Sequence, residues 1–290
     1  MENINDHLTD RLIRIALAED IGNGDHTSRS TIPMQAQGKM QLLIKDDGIL
    51  AGIRIAEKIF HTISPRLKMT VFIPDGATVK YGDTAFTVEG RVQSMLQAER
   101  LVLNVMQRMS GIATITRKYV DKLEGTKVRV LDTRKTMPGM RVLEKEAVRI
   151  GGGSNHRIGL FDMILLKDNH IDFSGGIKWA IFRANQYLHL NGKKMEVEIE
   201  VRNLDELNQV LAVEKVDRIL LDNFSVEDTR RAVELVAGKY ELESSGGITY
   251  ETIREYALTG VDYISIGALT HSVRSLDMSL KFVATNILPL

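Results

Sequence analysis

The stretch Val197-Glu-Ile-Glu-Val-Arg-Asn-Leu-Asp-Glu-Leu-Asn-Gln-Val-Leu-Ala-Val213, followed by Arg218-Ile-Leu-Leu-Asp-Asn223, sets an apolar-rich run, a segment of helical spacing and a second apolar run in direct succession. That order is strand, helix, strand, the unit of a parallel sheet. Further runs of the same kind follow at Tyr240–Leu242 and Tyr263–Ile266, with helical spacing between them at Val226–Val236 and Ile253–Ala257. Two more precede it, at Val128–Leu131 and Met163–Leu166. The last four strands begin about 20 residues apart, room for one strand, one helix and short loops. Continuous apolar runs mark strands buried on both faces, which favours a barrel or a doubly wound sheet over an antiparallel sandwich. A complete eight-unit barrel takes ~250 residues, more than this half of the chain offers, so an incomplete, six-stranded α/β barrel is expected.

Outward from that core, the N-terminal part has a different rhythm. Leu12, Ile13, Ile15, Ala16 and Leu17 crowd one side of a helix expected over Thr9–Glu19, with Thr9 as its cap. Short strands are expected at Met40–Ile44 and Lys68–Ile73, separated by a helix over Ile53–Ile63, which makes a small α+β domain. A long helix runs from near Ser94 to Leu123, with an interruption expected at Ser110-Gly111.

The chain has 290 residues, 43% hydrophobic and 26% charged, close to an average globular protein. Lys+Arg and Asp+Glu are both 38, so no global charge excess draws nucleic acid or an anionic membrane. Without cysteine, thiolate catalysis, disulfides and Cys-ligated metals are excluded. Met1-Glu-Asn-Ile-Asn-Asp-His-Leu8 lacks the basic and apolar regions of a secretory signal, and no run reaches the ~20 apolar residues of a membrane span. A cytoplasmic location is expected, with neither nucleic acid nor membrane as a partner.

In a parallel barrel the active site gathers at the C-terminal ends of the strands. Here those ends read Asp132-Thr-Arg-Lys135, Lys167-Asp-Asn-His170, Glu198 and Glu200 within Val197–Val201, Asp222-Asn223, Glu243-Ser-Ser-Gly-Gly247 and Gly267-Ala268. Taken singly, an Asp or Ser after a strand is most often the N-cap of the next helix. Taken together, charges facing one volume are costly unless they are paired or hold a ligand. Ser244-Ser-Gly-Gly-Ile-Thr249 and Ile266-Gly-Ala-Leu-Thr-His271 follow consecutive strands, and their glycines let backbone N–H groups cradle a phosphate. Between Arg129 and Arg157, seven cations face only Asp132, Glu144 and Glu146. Of these, Arg141, Lys145 and Arg149 read as a solvated helix face, whereas Arg134, Lys135, His156 and Arg157 read as a clamp for carboxylates or phosphates. Glu200 and Asp222, on neighbouring strand ends, suit Mg²⁺ or ribose hydroxyls.

Three runs carry a specific likeness: Asp132-Thr-Arg-Lys-Thr-Met-Pro-Gly-Met-Arg141, Gly151-Gly-Gly-Ser-Asn-His-Arg-Ile-Gly-Leu160 and Ile164-Leu-Leu-Lys-Asp-Asn-His170. They closely resemble the quinolinate phosphoribosyltransferases. Gly24-Asp-His-Thr-Ser28, Glu99-Arg-Leu-Val-Leu-Asn104, Ser110-Gly-Ile-Ala-Thr114 and Gly267-Ala-Leu-Thr-His-Ser-Val-Arg274 extend the resemblance over nearly the whole chain. Glu146 stands where many relatives carry an aromatic residue.

The resemblance implies an N-terminal α/β sandwich over 1–112, a barrel over 113–272, and a tail at 273–290 that packs with the first domain. It also implies a head-to-tail homodimer with a shared active site. By motif position, Thr133, Arg134, His156, Arg157 and Lys167 would hold quinolinate, with Arg100 supplied by the partner chain. Lys135, Glu200, Asp222, Ser245, Gly246, Gly247, Gly267, Ala268 and His271 would hold phosphoribosyl pyrophosphate, with Mg²⁺ at Glu200 and Asp222. Lys135, Lys167, Glu200 and Asp222 would carry the catalysis, which makes nicotinate mononucleotide, pyrophosphate and CO2 in NAD biosynthesis. Three other readings share parts of this pattern: a related protein associated with molybdenum transport, a phosphate-binding barrel isomerase or lyase, and a non-catalytic binding protein. The complete Arg, His and Lys set favours the transferase.

Overall fold

The computed structural model describes the backbone of residues 2–286 and the side chains of residues 6–283. The last four residues of the expected tail, and the side chains of residues 1–5, lie outside that description. The chain divides into two compact units. The first comprises Met1–Arg117, Thr136–Gly152 and Leu269–Leu290, and the second Lys118–Lys135 with Gly153–Ala268.

The first unit begins with α1 (Glu2–Ile21) and α2 (His26–Thr31), the latter capped by Asp25, whose side chain accepts from Ser28 N. Then come β1 (Gln37–Ile44), β2 (Gly48–Ile49), α3 (Ile53–Ile63), β3 (Lys68–Val71), β4 (Thr78–Val79), β5 (Thr84–Arg91) and α4 (Val92–Lys122). The helix α3 falls where its apolar spacing places it, burying Ile53, Ile55, Ala56, Ile59 and Phe60.

The expected break in α4 does not occur. Ser110 is fully buried, and its hydroxyl donates to Ala51 O and accepts from Ala51 N, so the side chain turns outward instead of competing for the helix backbone. Gly111 is there for a close approach: a Cβ would collide with the carbonyl of Arg274.

The barrel strands are β6 (Arg129–Leu131), β7 (Ile164–Leu166), β8 (Val197–Val201), β9 (Arg218–Asp222), β10 (Glu241–Ser245) and β11 (Tyr263–Ser265). The chain-order helices are α5 (Arg141–Ile150), α6 (Asp168–Ser174), α7 (Ile177–Leu190), α8 (Leu204–Val213), α9 (Val226–Val236), α10 (Ile253–Ala257) and α11 (Ala268–His271), and β12 (Met278–Asn286) is the last element. Of these, α5, β12 and all of α11 but Ala268 belong to the first unit. There β12 joins a four-stranded antiparallel sheet ordered β12-β1-β5-β3.

The second unit is built on a six-stranded parallel sheet ordered β6-β11-β10-β9-β8-β7, an open α/β barrel. The strand lengths differ from the apolar runs in one informative place. The fifth strand extends to Ser245, so Glu243 and Ser244 lie inside it, fully buried, and not in the loop that follows.

The cationic helix α5 also departs from expectation. Arg149 lies on the exposed side, 3.5 Å from Glu146, and Arg141 donates from Nε to Thr136 Oγ1 at 3.1 Å. Lys145, however, is buried, not solvated, and so is Glu144, which receives Arg108 Nε at 2.6 Å. Charge spacing alone cannot tell a solvated face from one that buries paired charges.

Candidate active site

Period-two alternation fixes which side chains of each strand share the barrel interior. On β8 these are Glu198 and Glu200, on β9 Arg218, Leu220 and Asp222, and on β10 Glu241, Glu243 and Ser245. The register locks them into rows: Glu198 opposite Arg218 and Arg218 opposite Glu241, then Glu200 opposite Leu220 and Leu220 opposite Glu243, with Asp222 opposite Ser245 above. Side chains packed in layers inside the strands are the ordinary construction of a barrel.

The upper rows open into a cavity of about 540 Å³ within the second unit. Its wall gathers Thr133, Arg134 and Lys135 after β6, His156 and Arg157 from the loop beyond Gly153, and Lys167 after β7. Glu200, Asp222, Asn223, Ser245, Gly246 and Gly247 line the opposite side, with Leu165, Leu220, Glu243 and Ser265 deeper in the wall. A larger hollow of about 870 Å³ in the first unit includes Arg29 and Arg91 in its wall but no acidic residue, so it offers no comparable pairing of cations with carboxylates.

The loop bearing His156 and Arg157 has no helix or strand, and two carboxylates hold it in shape. Asp132, fully buried, accepts from Asn155 Nδ2 at 2.5 Å and from His156 N at 2.9 Å. Asp162 accepts from Ile158 N at 2.7 Å and Gly159 N at 2.9 Å. Arg157 is itself buried and donates from Nη1 to Met163 O at 3.3 Å. Burial first, and then the charge of Arg134, push its guanidinium pKa down from the usual value. Two arginines held near each other create a strongly positive wall, an environment that an anionic ligand would relieve.

Lys167 Nζ donates to Glu200 Oε2 at 2.5 Å, an ion pair whose carboxylate is nearly buried while the ammonium is half exposed. Asp222 accepts from Asn223 Nδ2 at 2.8 Å. Asn223 has φ 55, a left-handed conformation that Asn tolerates better than most residues, and its N–H donates to Ser245 O. Gly246, at φ 90, packs against that same side chain, where any Cβ would strike Asn223. The turn at Gly246-Gly247 and the aim of Asp222 are therefore set by one contact between neighbouring strand ends.

Four expected site residues are not among those lining this cavity. Gly267 and Ala268 follow β11 in the second unit and are not among the residues lining the cavity. Arg100 is exposed on α4, and His271 ends α11 with Nδ1 2.6 Å from Ser272 Oγ; both belong to the first unit. Conversely, strand-end reading gave no role to Asp132, Asp162, Glu198, Arg218 or Glu243. For Asp132 and Asp162 the available signal was a lone acid flanking a loop with no regular structure, a pattern shared by many turns.

Fold and cavity together define an α/β-barrel protein with a mouth lined by Arg, Lys and carboxylate side chains at the C-terminal ends of its strands. Models of the N-terminal and C-terminal domains of quinolinate phosphoribosyl transferase match residues 25–110 and 112–281. A quinolinate phosphoribosyltransferase [decarboxylating] of Nicotiana tabacum is 46% identical over 285 residues, covering 93% of this chain and 81% of the relative. A probable nicotinate-nucleotide pyrophosphorylase [carboxylating] of Bacillus subtilis is 39% identical, covering 95% and 94%. Among solved structures, NadC from Streptococcus pyogenes has a TM-score of 0.89 at 38% identity, covering 95% of this chain and 96% of that one. The chain belongs to the quinolinate phosphoribosyltransferase family, and it is an enzyme of the phosphoribosyl-transferring kind. Among the described residues no helix is long and apolar enough to cross a membrane.

Proposed function

We propose that this protein transfers the phosphoribosyl group of phosphoribosyl pyrophosphate to the ring nitrogen of quinolinate, yielding nicotinate mononucleotide, pyrophosphate and CO2 for NAD biosynthesis. The observation that carries the reading is one cavity pairing a cationic wall (Arg134, Arg157, Lys167) with carboxylates and a glycine turn (Glu200, Asp222, Gly246-Gly247). The first set suits a dicarboxylate, because guanidinium forks match carboxylate geometry. The second suits a ribose bearing phosphates.

In the proposed reaction the pyridine nitrogen attacks the anomeric carbon of the ribose while the bond to pyrophosphate oxygen breaks. Lys135 neutralises charge on the departing pyrophosphate, and the carboxylates of Glu200 and Asp222 stabilise the cationic character that develops at the sugar. The quaternised nitrogen then accepts the electron pair of the breaking carbon–carboxylate bond, CO2 leaves, and the ring carbon takes a proton. Holding the substrate's carboxylates against Arg134 and Arg157 fixes the ring nitrogen toward the sugar, the orientation such a displacement needs.

Glu200 and Asp222 come from adjacent parallel strands and offer hard oxygen donors, a set that fits Mg²⁺, which characteristically takes one or two carboxylates plus substrate phosphates. When bound, Mg²⁺ would supply charge neutralisation on phosphate oxygens. A homodimer in which the partner's Arg100 completes the quinolinate clamp is part of the same proposal. So is a cytoplasmic location, which cell fractionation tests; certain plant relatives carry "mitochondrial" or "chloroplastic" in their names.

The deciding experiment mixes purified protein, Mg²⁺ and phosphoribosyl pyrophosphate with quinolinate, and in parallel with nicotinate. Mononucleotide and CO2 from quinolinate alone are expected. Silence with quinolinate would refute the assignment.

A further inference from the structure

Where the cavity reaches its lining residues His156 and Glu243, a group of buried charges continues beneath it to Glu198 and Arg218. Glu198 on β8 and Glu243 on β10 are fully buried. Nε2 of His156 lies 3.0 Å from Glu198 Oε2 and 3.5 Å from Glu243 Oε2, facing both carboxyls at once. No oxygen of either carboxyl completes a well-aligned hydrogen bond, which leaves the imidazole Nε2 at 3.0 and 3.5 Å as a neighbour of both. Ligating atoms of all three residues fall within 4.8 Å of one another, the spacing of a metal site. A cation is already at hand, however: Arg218 places Nη1 3.5 Å from Glu243 Oε2, and it is anchored by Glu241 at 3.1 Å and by the Tyr263 ring at 4.2 Å.

The other nitrogen of the imidazole is also engaged. The backbone N–H of Arg157 donates to His156 Nδ1 at 2.7 Å. A nitrogen that accepts carries no proton, so the ring has its proton on Nε2, the atom directed at the carboxyl pair. With both nitrogens turned to protein, the ring has neither left to grip an anion in the cavity.

We propose that Glu198 and Glu243 are positioning residues that fix His156 in the Nε2–H tautomer, and that His156 serves the site by holding the backbone at Arg157, not by binding substrate through its ring nitrogens. Arg157 is the buried cation of the clamp, in a loop without helix or strand, so its placement depends on side-chain contacts of this kind. Asp132 grips the backbone N–H of His156, Asp162 grips the two residues after Arg157, and the imidazole secures the N–H between them. The chain of contacts runs from the barrel floor to the clamp: Arg218, Glu243 and Glu198, His156, Arg157. Its purpose follows from the proposed substrate: a small displacement of Arg157 weakens grip on a dicarboxylate more than grip on the ribose phosphates, whose proposed contacts Lys135, Asp222 and the Gly246 turn lie outside the loop that carries Arg157.

The test has two independent arms. Ring ¹⁵N spectra of the wild-type protein, with the His156 signals assigned by their loss in His156→Gln, should show the proton on Nε2 at neutral pH; a proton on Nδ1 overturns the proposal. In kinetics, Glu198→Leu and Glu243→Leu should raise KM for quinolinate about tenfold while KM for phosphoribosyl pyrophosphate stays within about twofold. Glu198→Gln and Glu243→Gln, which keep an acceptor, should recover most of that loss. An equal rise in both KM values, or lowered thermal stability with quinolinate KM unmoved, would overturn it. Where a leucine variant fails to fold, the Gln variants and the ring spectra decide. If wild-type protein does not bind quinolinate, the substrate assignment falls, and the ring spectra still judge the positioning role.

Discussion

Replacing Glu243 by glutamine removes an ionisable carboxyl from the fully buried floor of the barrel, and its effect should be read in the pH dependence of stability. Burial, and then the neighbouring Glu198, raise the Glu243 carboxyl from 4.5 to about 7. Glu198 is likewise pushed up to about 7 by burial. Between those values the folded protein keeps a proton that the unfolded chain has released. Stability from this source is therefore fully present below pH 4.5 and is lost as pH rises through 7. A difference of about 2.5 pKa units corresponds to on the order of 3 kcal/mol for one carboxyl across that window. Trp179, the sole tryptophan, lies half-exposed on α7 in the same unit, so its fluorescence during urea denaturation reports the relevant unfolding. The wild-type unfolding free energy should fall from pH 5 to 8, and Glu243→Gln should flatten the fall by on the order of 1 kcal/mol per pH unit. Parallel profiles for the two proteins would show that the buried carboxyl does not titrate in this range and would refute the reasoning.

Lys135→Ala should lose about 100-fold in kcat/KM with little change in melting temperature, because an exposed strand-end ammonium serves the ligand and not the core; near-normal turnover would remove it from the mechanism. Gly246→Ala combines a strained positive φ with a collision against Asn223, so steady-state kinetics should show KM for phosphoribosyl pyrophosphate raised about tenfold or more. Arg157→Lys keeps the charge but loses the fork, and should raise KM for quinolinate about tenfold with a smaller effect on the other substrate.

The barrel and its mouth were legible because both depend on local signals. Val197–Val201 and Arg218–Asp222 read as strands from their own residues, and in a parallel sheet every strand delivers its C-terminal end to the same side. Arg134, Lys135, Lys167, Glu200, Asp222 and the Gly246-Gly247 turn therefore meet in one cavity without any knowledge of packing. The strands β5 and β12 escaped because their runs mix polar and apolar residues, and β12 gains its partner β1 only across most of the chain. A continuous α4 was equally hidden: Ser110-Gly111 looks like a break until the Ala51 and Arg274 contacts that require those two residues are in place.

By itself, the sequence determined the parallel rhythm of the barrel and the chemistry of its mouth, since these follow from periodicity and from residue types at strand ends. Tertiary structure decided what lies beneath. Whether Glu198, Glu243 and Arg218 face the barrel interior, and at what level, depends on strand extent and inter-strand register, and a one-residue slip would turn each of them to the opposite face. What the His156 ring meets was decided there too: Arg157 is its chain neighbour, but Glu198 and Glu243 come from separate strands brought to Nε2 only by folding.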